Sequence, residues 1–348
     1  MIPIRDTVES RNYPVVNHLI IAVNVGVYFI QLAQGAKIDH FVFLYGLVPA
    51  RYSDPFLAHY FTPGQQLFSF LSFMFVHGDI WHILFNMWSL HIFGDNVEDR
   101  LGPVRYVFFY LLCGWVSGLS HLVVNWHSQV PTVGASGAIA GVMGAYFILY
   151  PGARILTMIP ILIFPFFVEL PAFFFLGLWF FFQLVSAAGA PVREGGVAWW
   201  AHIGGFVFGI LCLKLFIRVP ETGITRAVRS RTARKKTPHL QAIHATGLSG
   251  DPNLYGEIVI TSEEASGGAR KLINMPWAFQ KRLLRVTVPP GVREGTILRL
   301  EGMGREMPGT GRGDLLLKVH IQDRSRPGLL TWHDFRSNSS INRGRRVF

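Results

Sequence analysis

Gly134-Ala-Ser-Gly-Ala-Ile-Ala-Gly-Val-Met-Gly-Ala-Tyr-Phe-Ile-Leu-Tyr150 is the stretch whose reading decides the fold. No charged residue occurs from Pro131 to Tyr150, a run long enough to cross most of a bilayer. Further along, Ala201-His-Ile-Gly-Gly-Phe206 places a histidine inside a second apolar stretch. An ionisable side chain in such a stretch marks a functional site by default. The pairing points to Ser136 as a nucleophile and His202 as its base, inside a membrane.

Composition supports a membrane reading. Half of the 348 residues are hydrophobic, and the mean hydropathy is positive. The apolar residues concentrate between 15 and 217, while 218–348 reads as an ordinary polar and basic segment. The net charge of +11 could suggest nucleic acid, but much of the basic excess follows the last apolar span. Membrane orientation explains that placement, so no nucleic-acid partner is expected. Cys113 and Cys212 both lie in apolar segments and read as buried free thiols rather than a disulfide framework. Met1 to Pro14 carries acids as well as Arg, with no small-residue cleavage site after the first apolar run. That run reads as a signal anchor.

Six spans are expected: Val15–Ala33, Asp79–Phe93, Pro103–Val124, Val133–Tyr150, Pro171–Ala187 and Val197–Ile217. Residues 34–78 form a long connection whose apolar end, Leu67 to Val76, would lie in the interface or partly in the bilayer. Gly94 to Arg100 would end the second span with charges. Arg154 to Glu169 is apolar but punctuated by proline and reads as a loop with a partly buried stretch. Arg226-Ala-Val-Arg-Ser-Arg-Thr-Ala-Arg-Lys-Lys236 has six basic residues in eleven, which places the C-terminus in the cytoplasm. An even number of spans brings the N-terminus there too. Ser136 and His202 then sit at one depth, near the outward ends of the fourth and sixth spans.

A serine hydroxyl is a weak nucleophile until a neighbouring base takes its proton. The unperturbed pKa of histidine suits that task near neutrality. No carboxylate lies in the fourth or sixth span, and Glu169 and Glu194 fall in loops, so the residues offer a dyad. Taken alone, Ser136 also reads as a small helix-packing residue and His202 as a pore or metal-binding histidine. Gly137, Gly141 and Gly144 follow the serine at helical spacing; Gly205 and Gly209 follow the histidine. Such small-residue faces let two helices approach closely. On the second span His82, Asn86 and Ser89 recur at i, i+4, i+7 as a polar stripe. Donors of that kind suit an oxyanion in a poorly hydrated site. An interhelical hydrogen-bond network, worth about 1–2 kcal/mol per bond in model peptides, is the plainer alternative.

These residues resemble the rhomboid intramembrane serine proteases. The likeness rests on His77-Gly-Asp-Ile-Trp-His-Ile-Leu-Phe-Asn86, Gly134-Ala-Ser-Gly137 and Ala201-His-Ile-Gly-Gly-Phe-Val-Phe-Gly209, and it covers residues 15–217. It implies that Ser136 attacks the scissile carbonyl while His202 acts as general base and then acid. It further implies an oxyanion site from His82, Asn86 and the Ser136 backbone amide, no cofactor and no metal. Substrates would be membrane proteins cut in or near a transmembrane helix, where small or helix-breaking residues let the backbone unwind. Many members carry an aromatic one turn after the serine that stacks on the histidine. Ala140 stands there in this chain, so His202 must be positioned by another group.

Residues 237–253 read as part of a basic juxtamembrane linker covering 218–255. Short β-runs follow: Glu257–Thr261, Leu283–Val288, Thr296–Leu300 and Leu315–Ile321. The Gly-rich stretch from Gly302 to Gly313 lacks the helix and Lys-Ser/Thr of a phosphate loop. This segment resembles part of the C-terminal peptide-binding domain of DnaJ-type co-chaperones. The residues that carry the likeness are Glu263-Glu-Ala-Ser-Gly-Gly268, Val286-Thr-Val-Pro-Pro-Gly-Val-Arg-Glu-Gly-Thr-Ile-Leu-Arg-Leu300 and Gly313-Asp-Leu-Leu-Leu-Lys-Val-His320. No His-Pro-Asp tripeptide and no Cys-x-x-Cys repeat occurs, so neither a J region nor a zinc region is present. The resemblance implies a small β-sandwich over 256–323 that takes extended polypeptide or serves as an appendage. Residues 324–348 read as a disordered basic tail.

The expected whole is a polytopic α-helical membrane protein with six transmembrane helices, followed by a small soluble all-β domain. Its expected activity is intramembrane serine endopeptidase, in a bacterial plasma membrane with both termini cytoplasmic. A catalytically silent relative that binds transmembrane clients is the alternative. A proton-conducting transporter would show an Asp or Glu relay inside the spans, and none is present.

Overall fold

The computed structural model describes residues 1–8, 10–161, 164–189, 197–233, 240–243, 245–247, 250–277, 280–307 and 311–322. Glu194 and the tail from 323 onward lie outside the described residues. The chain divides into two compact units, Met1–Thr232 and Ala233–Phe348.

The first unit opens with a strand, β1 (Ile2–Asp6), and a long helix, α1 (Val15–Leu32). Four short helices follow: α2 (Ile38–Tyr45), α3 (Ala50–Ser53), α4 (Pro55–Ala58) and α5 (Pro63–Ser72). Then come α6 (Ile80–Leu101), α7 (Pro103–Val124) and α8 (Ser136–Leu149). A hairpin of β2 (Arg154–Ile161) and β3 (Phe164–Pro171) leads into α9 (Ala172–Gly189), α10 (Trp199–Arg218) and α11 (Gly223–Thr232).

Four of these helices are long and apolar enough to cross a membrane: Val15–Leu32, Pro103–Val124, Ala172–Gly189 and Trp199–Arg218. The other two stand where spans were expected but differ for physical reasons. The helix beginning at Ser136 has only 14 residues. The helix beginning at Ile80 does not stop near Phe93. It runs two further turns through Asp95, Glu98, Asp99 and Arg100, because those charges have partners.

Helix α1 starts after Pro14 with no side-chain cap of its own. The Glu98 carboxylate accepts the Val16 and Asn17 amides at 3.1 and 2.7 Å and so satisfies two of the orphan donors of its first turn. Asp99 accepts from the Asn12 amide at 3.0 Å, and the Arg229 guanidinium donates to the Asp99 carbonyl. The N-terminal segment, the turn between α6 and α7, and α11 therefore meet at one end of the helices. Gly102 makes that turn at φ +81°, and a Cβ there would press on Thr225 of α11.

Two buried amides, fourteen residues apart, tie α1 to its neighbours. Asn17 donates to the Leu90 carbonyl at 3.0 Å and accepts from the Tyr106 hydroxyl at 2.8 Å. Two heptads on, Gln31 donates to the His77 carbonyl at 2.6 Å and accepts from its amide at 3.2 Å. Lipid offers no hydrogen bonds of its own, so such amides are held only where protein supplies the partners.

The stretch read as a loop, 154–169, is the β2–β3 hairpin, and β1 joins it in the order β1-β2-β3. Ile155 and Thr157 are fully buried two residues apart, the period of a strand with one covered face. Glu169, read as a loop residue, lies in β3 opposite Leu156. Residues 2–6, ahead of the first expected span, also form a strand: Ile2 pairs with Met158 and Asp6 with Ile155. At the end of β1 the Asp6 carboxylate accepts from the Tyr146 hydroxyl of α8 and from Asn96 of α6. Burial pushes the Asp6 carboxyl up to about 6.

The second unit holds β4 (Leu240–Ala242), β5 (Leu254–Ile260), α12 (Ser262–Gly267), β6 (Ala269–Trp277) and β7 (Gln280–Val288). It continues with β8 (Ile297–Leu300), β9 (Glu306–Met307), β10 (Gly311–Arg312) and β11 (Leu315–Ile321). Two three-stranded sheets, β5-β11-β8 and β4-β6-β7, enclose one apolar core that includes Ile258, Ile260, Ile273, Leu315 and Val319. Strand β6 falls outside the expected β-runs. It carries Lys271, which is buried and paired with Glu264 at 2.6 Å.

Candidate active site

Ser136 is the first residue of α8, and the loop before it is tied down residue by residue. The Leu47 and Thr132 backbones exchange hydrogen bonds at 2.9 and 2.8 Å, and the Gly134 amide donates to the Phe73 carbonyl at 2.8 Å. Gly134 sits at φ +120°, where a side chain would be strained. A Cβ there would also lie 2.7 Å from the His82 ring, so both backbone and space demand glycine. The serine amide belongs to the first turn of a helix, whose N–H groups lack intrahelical acceptors.

Helices α8 and α10 meet through their glycines. A Cβ on Gly205 would stand 2.0 Å from the Gly137 carbonyl oxygen, and one on Gly209 would stand 2.1 Å from that of Gly141. Backbone therefore lies against backbone, and this contact brings the first turn of α10 beside the first turn of α8. His202, in that turn, is buried; its Nε2 is 2.8 Å from the Ser136 Oγ.

The other ring nitrogen of His202, Nδ1, lies 2.7 Å from Oε1 of Gln183 on α9. Trp179, one turn earlier on α9, places its ring 5.9 Å from the imidazole at 35°, and Trp199 approaches edge-on at 6.1 Å. Ala140 is fully buried and has no ring to offer, so the flanking aromatics come from α9 and α10. Gln183 and Trp179 escaped the reading of the sequence. The available signal was one carboxamide in the otherwise aromatic and aliphatic run from Phe173 to Val185.

Helix α6 contributes the remaining polar groups. Asp79 caps it, accepting the Trp81 and His82 amides at 2.8 and 2.9 Å. The Gly78 amide donates to Nδ1 of His82 at 3.3 Å, which leaves the proton of a neutral imidazole on Nε2, beside Gly134. One turn on, Asn86 is buried with its Nδ2 donor unpartnered among the described residues. A Cβ on Gly134 would be 3.6 Å from that nitrogen. Ser89 lies a further turn along α6, half-buried. His77, just before α6, is fully buried, and burial together with the neighbouring His82 pushes it down to about 3, so it stands neutral. Among the described residues, no three of His, Cys, Asp or Glu gather where a metal ion could be held.

A serine hydrogen-bonded to a histidine, with unused donors converging two residues upstream, is an arrangement suited to acyl transfer. Comparison with known proteins agrees on the lineage. Residues 64–219 match the family model of the rhomboid domain. That stretch, less than half of the chain, is therefore similar to the rhomboid domain. Residues 254–327 match the DnaJ C terminal domain, so a DnaJ-type module follows the rhomboid domain. Rhomboid protein 1, mitochondrial, of Saccharomyces cerevisiae is 31% identical over 153 residues, which are 41% of this chain and 40% of that protein. RHOMBOID-like protein 6, mitochondrial, of Arabidopsis thaliana is 35% identical over 82 residues, 24% of this chain and 26% of that protein. Chaperone protein DnaJ 2 of Thermus thermophilus is 39% identical over 69 residues, 20% of this chain and 22% of that protein. The chain thus spans at most 40% of the length of any of these relatives.

Proposed function

We propose that this protein is an intramembrane serine endopeptidase whose rhomboid domain cleaves transmembrane segments of membrane proteins. The observation that carries this reading is the 2.8 Å hydrogen bond between Ser136 and His202, with the unpartnered Asn86 donor nearby. In the proposed reaction His202 Nε2 takes the hydroxyl proton as Ser136 Oγ attacks the scissile carbonyl carbon. The developing oxyanion is met by the Ser136 amide, Nε2–H of His82 and Nδ2–H of Asn86, donors already fixed before the reaction. His202 then protonates the leaving amine, and a water activated by the same imidazole releases the acyl group.

The helices α1, α6, α7, α8, α9 and α10 would all be embedded. Asn12, Asp99 and Arg229 share the end of the helices opposite Ser136 and His202, which supports placing both flanks of the domain on one side. The basic run after α10 argues that this side is cytoplasmic. The mitochondrial names of two rhomboid relatives give no support to a bacterial plasma membrane in particular. The DnaJ-type module would take extended polypeptide.

The test uses the full-length protein in detergent, incubated with a fluorophosphonate and with a single-span membrane protein as substrate. Mass spectrometry should find one adduct on Ser136 and two substrate fragments, both lost in Ser136→Ala and His202→Ala. A folded wild type that neither labels nor cleaves would replace the protease reading with that of a silent adaptor for transmembrane clients.

A further inference from the structure

Helix α9 contains no charged residue, yet Gln183 is buried within it at 6% exposure. A carboxamide in such surroundings is costly unless both ends are bonded, and both are. Nε2 donates to the Trp179 carbonyl one turn back at 3.2 Å, and Oε1 faces Nδ1 of His202 at 2.7 Å.

We infer that Gln183 is a positioning residue for His202, an uncharged third member of the site that fixes the tautomer and orientation of the imidazole. The inference rests on the protease reading above. The Trp179 carbonyl can only accept, so it holds the amide nitrogen and turns the amide oxygen toward the histidine. That oxygen can only accept in turn, so the His202 proton must sit on Nδ1. A neutral imidazole has one N–H, and Nε2 is therefore left with a lone pair aimed at the Ser136 hydroxyl. This is the protonation pattern a general base needs before attack, and the amide reaches it without placing a charge in the membrane. Trp179 has a double part. Its carbonyl orients the amide, and its ring flanks the imidazole and limits its rotation.

The experiment measures the rate of fluorophosphonate labelling of Ser136 between about pH 5 and pH 9 in the full-length protein. Wild type is compared with Gln183→Met, which removes the acceptor at similar volume, and with the isosteric Gln183→Glu. Gln183→Met should label about 10–100-fold more slowly across the range, with a melting temperature close to wild type. Gln183→Glu should label well at high pH, with its acid limb displaced upward by about one pH unit, because a carboxylate favours the protonated imidazole. A structural role alone would move the melting temperature and leave that limb in place. Gln183→Met labelling at the wild-type rate would overturn the inference while leaving the protease reading intact. A Gln183→Glu profile that superimposes on wild type would do the same, and it decides the matter if Gln183→Met does not fold. A folded wild type that is not labelled at any pH would remove both.

Discussion

Gly205→Ala tests how tightly the contact between α8 and α10 sets the site. The new Cβ would stand 2.0 Å from the Gly137 carbonyl oxygen and 3.0 Å from its carbon. A carbon–oxygen contact needs about 3.3 Å, so the two backbones must part by about 1.3 Å. The atom struck is backbone in the middle of a helix, so no side chain can swing aside. Gly137 follows Ser136 directly, and Gly205 lies one turn after His202. Carried along the contact, the displacement lengthens the 2.8 Å bond between Oγ and Nε2 to about 4 Å, beyond hydrogen-bond range. A misplacement of about 1 Å costs on the order of a hundredfold in rate. Alanine would otherwise favour a helix by about 1 kcal/mol over glycine, whereas overpacking costs about 1–3 kcal/mol. Gly177→Ala on α9 supplies the control, since its Cβ would meet nothing nearer than Phe147 at 4.0 Å. Labelling of Ser136 should therefore fall about a hundredfold or more in Gly205→Ala, with a lower melting temperature, while Gly177→Ala keeps both. Wild-type labelling by Gly205→Ala would refute the claim that this contact sets the serine–histidine distance.

Asn86→Ala should lower turnover by about 10²–10³-fold without destabilising the fold, because its Nδ2 makes no hydrogen bond to lose; a large drop in melting temperature would show a structural role instead. Gln31→Ala leaves the buried amide and carbonyl of His77 without partners, and chemical denaturation should register a loss of about 2 kcal/mol or more. Asp6 gives a pH dependence whose sign follows from burial. Folding raises its carboxyl to about 6, so the stability tied to its neutral form is present below about pH 4 and is lost as pH rises through about 6. The ceiling is about 3 kcal/mol, and Asp6→Asn should abolish the difference. Melting temperatures at about pH 4.5 and 7.5 should thus fall further for wild type than for Asp6→Asn. Equal falls would remove Asp6 as the cause.

The helices were legible where long apolar runs end at turn residues, as at Gly102-Pro103 and Asn125. Recognition of the rhomboid and DnaJ-type segments followed from short motifs whose residue types are chemically constrained, such as the glycine that φ +120° demands at position 134. What escaped was non-local. Residues 2–6 and 154–171 contain Pro3, Pro160, Pro165 and Pro171, which locally argue against strands. They become strands by pairing with one another across nearly the whole first unit. The charges from Asp95 to Arg100 look like a helix end until their partners on α1 and α11 are known. Gln183 was visible as an exception to composition, but its meaning depends on which face of α9 turns toward α10, and no single-chain pattern states that.

A neutral acceptor behind the histidine has a consequence for the proposed mechanism. In water-exposed serine hydrolases a buried carboxylate both holds the tautomer and stabilises the imidazolium that forms. At a transmembrane helix centre an aspartate costs about 2.5–3.5 kcal/mol on insertion, and here the span carries an amide that avoids the charge. The amide oxygen can fix Nδ1–H as well as a carboxylate can, but it offers a dipole rather than a charge to the imidazolium. More of the transition-state stabilisation must then come from the oxyanion side, where the Ser136 amide sits at the positive end of α8 and Asn86 holds an unused donor. The two substitutions should accordingly rank in one order: loss of the Asn86 donor costs more rate than loss of the Gln183 acceptor. The reverse ranking in turnover of a single-span substrate would mean that imidazolium stabilisation, rather than the oxyanion site, dominates the barrier.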